Sequence, residues 1–588
     1  MSELVSALDL HNILELKKKG ENLHCEYKWS NNYNNNPNKL VQLFFQLVRT
    51  KSEEKLNDIA DNFIETFIIS QSRDYKILLL KMLLNTRDII KGKGEKALSY
   101  AILHKLSIIE PIITKKIIRS FVYIENEHPM GSWADIKYMW SLYEWTPDME
   151  DFFIYLINTQ LKQDDNTPQD KSISLVSKWI PRETNKHKYL FKKLAQEYYL
   201  HYITSAKSTE KLAMAYRKAY MDYGKLVTKL SRKLDVTQIK QCDRNYSEIN
   251  YNNVTSITMN KQKSAFSNKK EKGEVDRIVG AKNFEKFIND SLQNKKEIKG
   301  TRVSIYDFIK DALYLKSIKT ALYFNDINND PKNENLIKIL NSQWRDSGKL
   351  IDGHLGNFIA MVDTSGSMEV DNCVPLYNAI GLGIRVAEKS LLGKRILSFN
   401  SIASWINLEN DDDLVSMVSK IKKEPWGMNT NFMQALDMIL ECILEKNLTP
   451  RDVENLTLCI FSDMQIDYAD KNSLNNSFWE CINKKYHDAG ITHFGIPFSP
   501  PNILFWNMRI TEGFPVMSEQ KNVSMLSGFS PVLLNTFCNK GHNELKNMNS
   551  HNMLTSILNI DRYSFVDKLI EEDTPKSPNS KGFRGMDI

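Results

Sequence analysis

At 588 residues the chain is longer than one hydrophobic core organises, so two or three domains are expected. Its 42% hydrophobic and 26% charged residues describe a soluble globular protein, and no apolar run approaches the ~20 residues of a membrane span. The net charge of +6 hides a division: residues 1–350 hold 57 Lys+Arg against 43 Asp+Glu (+14), residues 351–588 hold 21 against 29 (−8). The first part can attract a polyanion and the second would not.

The opening Met1-Ser-Glu-Leu-Val-Ser-Ala-Leu-Asp9 is acidic and too short in apolar length for a signal peptide. The seven cysteines are odd in number, scattered and never spaced Cys-x-x-Cys, which speaks for a reducing, cytoplasmic setting and against zinc or a disulfide framework.

Residues 1–345 read as helix after helix. Segments 39–49, 55–70, 75–84, 95–106, 114–123, 133–143, 151–163, 188–205 and 209–234 carry apolar residues at three- and four-residue spacing, with Pro and Gly between them. The pattern fits stacked helical pairs, a HEAT-like solenoid or irregular bundle, without a clean fixed-period repeat.

Three short segments interrupt it. Arg87-Asp-Ile-Ile-Lys-Gly-Lys-Gly-Glu95 places Lys91 and Lys93 on a glycine-flexible loop that could meet phosphates or serve as an inter-helix turn. It is no Walker loop, because no Gly-Lys-Ser/Thr follows. Ser132 before Trp133, with Asp135 in the first turn, reads as a capped helix start. Ser177-Lys-Trp-Ile-Pro-Arg-Glu183 sets Trp179 beside a helix-ending Pro181.

The basic surface to weigh is Ala215–Lys240. Lys225, Lys229, Arg232 and Lys233 share one helical face, and Arg217 and Lys218 extend it. A solvated face explains such a run as well as RNA does; the +14 balance is what turns the reading toward phosphates. Tyr216, Tyr220 and Tyr223 could stack on bases or pack. Residues 325–336 form a polar break before a last helix near 337–344.

From Gly356 the pattern alternates: strands 358–363, 395–399, 402–407, 456–462 and 503–508, helices 373–392, 411–422, 431–446, 475–489 and 530–538. That predicts a doubly wound α/β domain over 351–570 and a disordered tail over 571–588. In Phe358-Ile-Ala-Met-Val-Asp-Thr-Ser-Gly-Ser-Met368 a buried-strand run ends in Asp363, Ser365 and Ser367 around Gly366, which would let the backbone bend. Thr430 follows 67 residues on, and Asp463 ends a second apolar run 33 residues further. Hard oxygens without Cys or His suit Mg²⁺, Mn²⁺ or Ca²⁺ better than zinc, and Mg²⁺ or Mn²⁺ is the expected ion.

These three loops in order resemble the metal-ion-dependent adhesion site of von Willebrand A domains. The resemblance implies that Ser365 and Ser367 bind the ion directly, Thr430 directly or through water, and Asp363 and Asp463 through water. One position would be left for a carboxylate on a protein partner. The whole order of segments, including Arg87-Asp-Ile, Ser177-Lys-Trp-Ile-Pro-Arg-Glu183, Phe461-Ser-Asp-Met464 and Phe505-Trp-Asn-Met-Arg509, is similar to an uncharacterised family of giant DNA viruses, plants and fungi. That family looks like the Ro ribonucleoprotein, whose helical ring (the TROVE module) binds RNA and carries a von Willebrand A domain.

The expected architecture is therefore a basic, all-helical TROVE-like part over 1–350 followed by a von Willebrand A-like domain. The expected function is a non-enzymatic RNA-binding or ribonucleoprotein scaffold with a Mg²⁺-dependent partner site and no membrane association. Two alternatives stay open: a protein-interaction module with no RNA role, and a metal-assisted phosphohydrolase. Against the last stand the absence of an obvious general base and of a two-metal carboxylate cluster.

Overall fold

The computed structural model describes residues 16–570 apart from 21–23, 32–35, 294, 325–330, 425–430, 466–476, 539, 541–543 and 546. The expected tail therefore lies outside the described residues.

Up to Ser347 the described chain is helical except for a two-stranded hairpin, β1 (Lys17–Lys19) and β2 (Cys25–Tyr27), for which three-residue strands leave too short a sequence pattern to see. Helix starts follow local chemistry. Asn36 caps Pro37–Gln46 with Pro37 in the first turn, and Thr146 caps Pro147–Asn166 by accepting from the Met149 N–H. That cap starts the helix earlier than its apolar spacing suggested. Ser132 and Asp135 form the reciprocal capping box at Trp133–Leu142. Among the helices that escaped the periodicity reading are Ser256–Phe266, Val275–Leu292 and Ile305–Phe324. All three have weak amphipathic order. The polar break is shorter than expected, because a helix begins at Pro331 and runs to Ser347.

The α/β part is built on β3 (Asn357–Asp363), β4 (Arg395–Phe399), β5 (Ala403–Asn407), β6 (Leu456–Ser462), β7 (Asn502–Asn507) and β8 (Val523–Ser527). The sheet order is β5-β4-β3-β6-β7-β8, parallel except where β5 pairs antiparallel with β4. This is the doubly wound, von Willebrand A-like arrangement. β8 was not foreseen: Val-Ser-Met-Leu-Ser mixes apolar and hydroxyl residues without a clear period, yet all five are buried. Segment 530–538 is a 3-10 turn, Pro531–Thr536, rather than a full helix.

Side chains pack across the passage between the two parts. The hairpin and first helix pack on the α/β part: Tyr27 and Phe514, in the connection between β7 and β8, exchange backbone hydrogen bonds of 2.9 and 3.1 Å, and Trp29 meets the Phe514 ring edge-on at 4.9 Å. Helix Ile305–Phe324 returns to pack on Val370–Lys389, where a Cβ on Gly381 would lie 2.3 Å from Ile305. Arg385, from the same α/β helix, stacks on Trp344 with its guanidinium 3.3 Å from the ring centroid. One apolar core runs through both parts.

Candidate metal site at the sheet switch point

Connections leave β3 toward β4 and leave β6 toward β7 on the opposite side, so the order of strands reverses between β3 and β6. The carboxyl ends of such neighbours frame the crevice in which doubly wound sheets place ligands. β3 ends in Asp363, β6 in Ser462 followed by Asp463, and β7 in Asn507, two residues before Arg509.

Asp363 is wholly buried. Its Oδ1 accepts from the Ser365 N–H at 2.9 Å, closing an Asx turn, and its Oδ2 accepts from the Ser462 hydroxyl at 2.6 Å. The turn brings the Ser365 and Ser367 hydroxyl oxygens to 3.1 Å from each other. Ser365 is buried, Ser367 half-buried and Gly366 exposed, so the loop reaches the surface at its tip. Gly366 has no left-handed φ and nothing stands within 4 Å of a Cβ built there. The bend expected of it is made by the Asx turn instead.

Asp463 is equally buried; its Oδ1 accepts from the Gln465 N–H at 3.2 Å, and Arg509 Nε lies 3.2 Å from its Oδ2. Burial, and then the charge of Asp463, push the Asp363 carboxyl up to about 7. Thr430 lies outside the described residues. The next residue, Asn431, donates its N–H to Asn400 O at 2.7 Å, and the Asn400 amide donates to Thr364 Oγ1 at 3.0 Å. The described end of that loop is thus tied beside the Asp363 loop.

The residues present fit a hard divalent cation. Two hydroxyls stand together, and two buried carboxylates of like charge, each already oriented by hydrogen bonds, face a charge cost that a cation would relieve. Among the described residues no group of three His, Cys, Asp or Glu is placed to hold a metal, so an ion here depends on the serine hydroxyls. Arg509 and Ser462 were missed as members of this site. The available signal was position: each stands at or just past the end of a buried strand next to the switch point.

The basic candidates divide. Lys93 is a correction: it is buried, and its ammonium donates to Phe44 O (2.6 Å), Leu47 O (3.1 Å) and Ser527 Oγ (2.6 Å), so it cannot meet a phosphate. A Cβ on Gly92 would lie 2.0 Å from Asn85 O, and Gly94 has φ of 72°, which makes this loop a structural turn. Lys91 is exposed. On the helix Thr209–Lys233, Arg217, Lys218, Lys225, Lys229 and Arg232 are exposed. Lys229 pairs with Asp165 at 2.8 Å and Lys218 lies 4.2 Å over the Tyr202 ring. Lys233 is half-buried and donates to the Thr167 and Pro168 carbonyls, so it anchors the helix. Tyr223 is buried on Asn158 and is lost to base stacking.

Residues 151–352 match the model of a family described as a domain of unknown function, DUF2828, and residues 357–570 match another so described, DUF7788. An uncharacterised protein of Acanthamoeba polyphaga mimivirus is 27% identical over 533 residues, covering 86% of this chain and 83% of its own. The crystal structure of the Deinococcus radiodurans Ro (RSR) protein aligns over 89% of this chain and 99% of its own, at 9% identity and a TM-score of 0.30. No helix among the described residues is long and apolar enough to cross a membrane. Along most of its length the chain is thus similar to a giant-virus protein, with one family region on its helices and the other on its sheet.

Proposed function

We propose that the chain is a non-enzymatic scaffold: the switch-point site takes Mg²⁺ or Mn²⁺ and through it an acidic group of a protein partner, and the helical part binds RNA. The observation that carries this reading is the pair of buried carboxylates, Asp363 and Asp463, set around two serine hydroxyls 3.1 Å apart. Ser365 and Ser367 would hold the ion, with Asp363, Asp463 and Thr430 around it. Bound there, the cation supplies charge neutralisation and an open coordination position for a carboxylate. The RNA half of the reading rests on the exposed cations of one helical face in a part of the chain that carries +14.

The test separates scaffold from phosphohydrolase. Labelled structured RNA is incubated in Mg²⁺ with the full chain and with Asp463→Ala, then read by filter binding and on a denaturing gel. Intact RNA in both lanes, with affinities within about threefold (~0.65 kcal/mol), is the expected result. Cleavage by the wild type that the substitution abolishes replaces the scaffold with an enzyme. No binding by either leaves the helical part as a protein-interaction module.

A further inference from the structure

Between the Asp363 loop and the helix behind it, Asp371, Asn372 and Cys373 have φ of 56°, 65° and 59°. A left-handed residue other than glycine costs ~1–2 kcal/mol, and here three stand in succession. Pro375 supplies the reason. Were the right-handed helix continued back to Asp371, Pro375 would have no N–H for the Asp371 carbonyl, and its ring would press on that oxygen. The chain turns left-handed instead, which leaves the Asp371 carbonyl without a helical donor and turns its oxygen and that of Asn372 toward donors outside the helix.

The helical part supplies those donors. Lys51 Nζ donates to Asp371 O at 2.9 Å, and Tyr306 OH donates to Asn372 O at 3.3 Å. Lys51 sits between the helices Pro37–Gln46 and Glu53–Ile69, and Tyr306 in the first turn of Ile305–Phe324, so two elements far apart in the chain grip one turn. Tyr306 also stacks on Tyr377, 5.5 Å between centroids, one turn further into the gripped helix. Only the short turn Gly366–Glu369 and Val370 separate this segment from Ser365.

We propose that Lys51 and Tyr306 are positioning residues of the metal site. By holding the strained turn they fix Ser365 and Ser367 in register, so that docking of the helical part and occupancy of the metal loop are coupled. Coupling of this kind is reciprocal: an ion on the serines tightens the grip, and loss of the grip weakens the ion. The inference rests on the reading that those serines hold a cation.

The experiment uses the full chain as wild type, as Lys51→Met with Tyr306→Phe, and as Lys51→Arg, which keeps a donor. Mn²⁺ affinity is measured by calorimetry, and amide exchange of residues 364–374 by mass spectrometry without metal. The double variant is expected to exchange faster in that segment and bind Mn²⁺ at least threefold more weakly, with Lys51→Arg close to wild type. Unchanged exchange overturns the proposal, as does faster exchange with unchanged Mn²⁺ affinity. Should the wild type bind no Mn²⁺, the metal reading fails by itself. The exchange arm then decides whether Lys51 and Tyr306 hold the turn.

Discussion

Lys93 shows how one residue type can serve the opposite of its expected role. The chain closes helix Pro37–Gln46 without a glycine cap, leaving its last carbonyls to find donors elsewhere. The Lys93 ammonium meets Phe44 O and Leu47 O, lies 3.8 Å over the Phe44 ring, and reaches Ser527 on β8. Burial holds its pKa well below the ordinary lysine value. A cation at a helix carboxyl end is favourable, and a buried donor removed leaves its acceptors bare. Lys93→Ala should therefore cost ~3 kcal/mol of stability, read from the shift of the urea midpoint, with RNA affinity unchanged. A variant as stable as wild type but weaker on RNA would restore Lys93 to the nucleic-acid surface.

Among the elements, the turn from Arg87 to Glu95 is set by backbone contacts. Lys93 N–H donates to Asn85 O at 2.9 Å and Glu95 N–H to Thr86 O at 2.7 Å, wrapping the loop over the end of helix Arg73–Arg87. Gly92→Ala puts a Cβ into the Asn85 carbonyl and should cost ~2–3 kcal/mol, seen as a lowered melting temperature. Gly366→Ala, with open space around it, should leave the melting temperature within a degree or two. Equal effects at the two positions would refute this assignment. The same contrast shows what the sequence made legible. β3 and β6 were readable because strands buried on both faces are continuous apolar runs, and the order of Asp363, Ser365, Ser367 and Asp463 along them located the crevice. Arg509 was not readable as a site member, because only the parallel pairing of β7 with β6 brings it to Asp463. β8 and the helices Ser256–Phe266 and Val275–Leu292 were hidden by mixed polarity that tertiary packing overrides. The left-handed turn was legible only as a proline, not as a conformation.

For the whole molecule, the two ends of the described chain cross over. The strands Lys17–Lys19 and Cys25–Tyr27 lie against the α/β part, with Lys17 paired to Glu480 of helix Phe478–Phe494 at 2.8 Å, while Arg562 from the far side clamps Asp88 on the helices at 2.7 and 2.9 Å. Tyr563 OH adds a 3.0 Å bond to the same buried carboxylate. Arg562→Ala strands that charge and should cost ~3–5 kcal/mol while unfolding stays a single transition, because the core is continuous across both parts. Two separated transitions in calorimetry would show instead that the parts fold independently. The claim on which the functional account turns is that Asp363, Asp463 and the two serines form a cation site rather than a carboxylate pair served by Arg509. The direct measurement is calorimetric titration of the full chain with Mg²⁺ and Mn²⁺, beside Asp363→Ala. The account predicts saturable binding of one ion by the wild type, lost in Asp363→Ala; identical heats for the two proteins, or none from either, would contradict it.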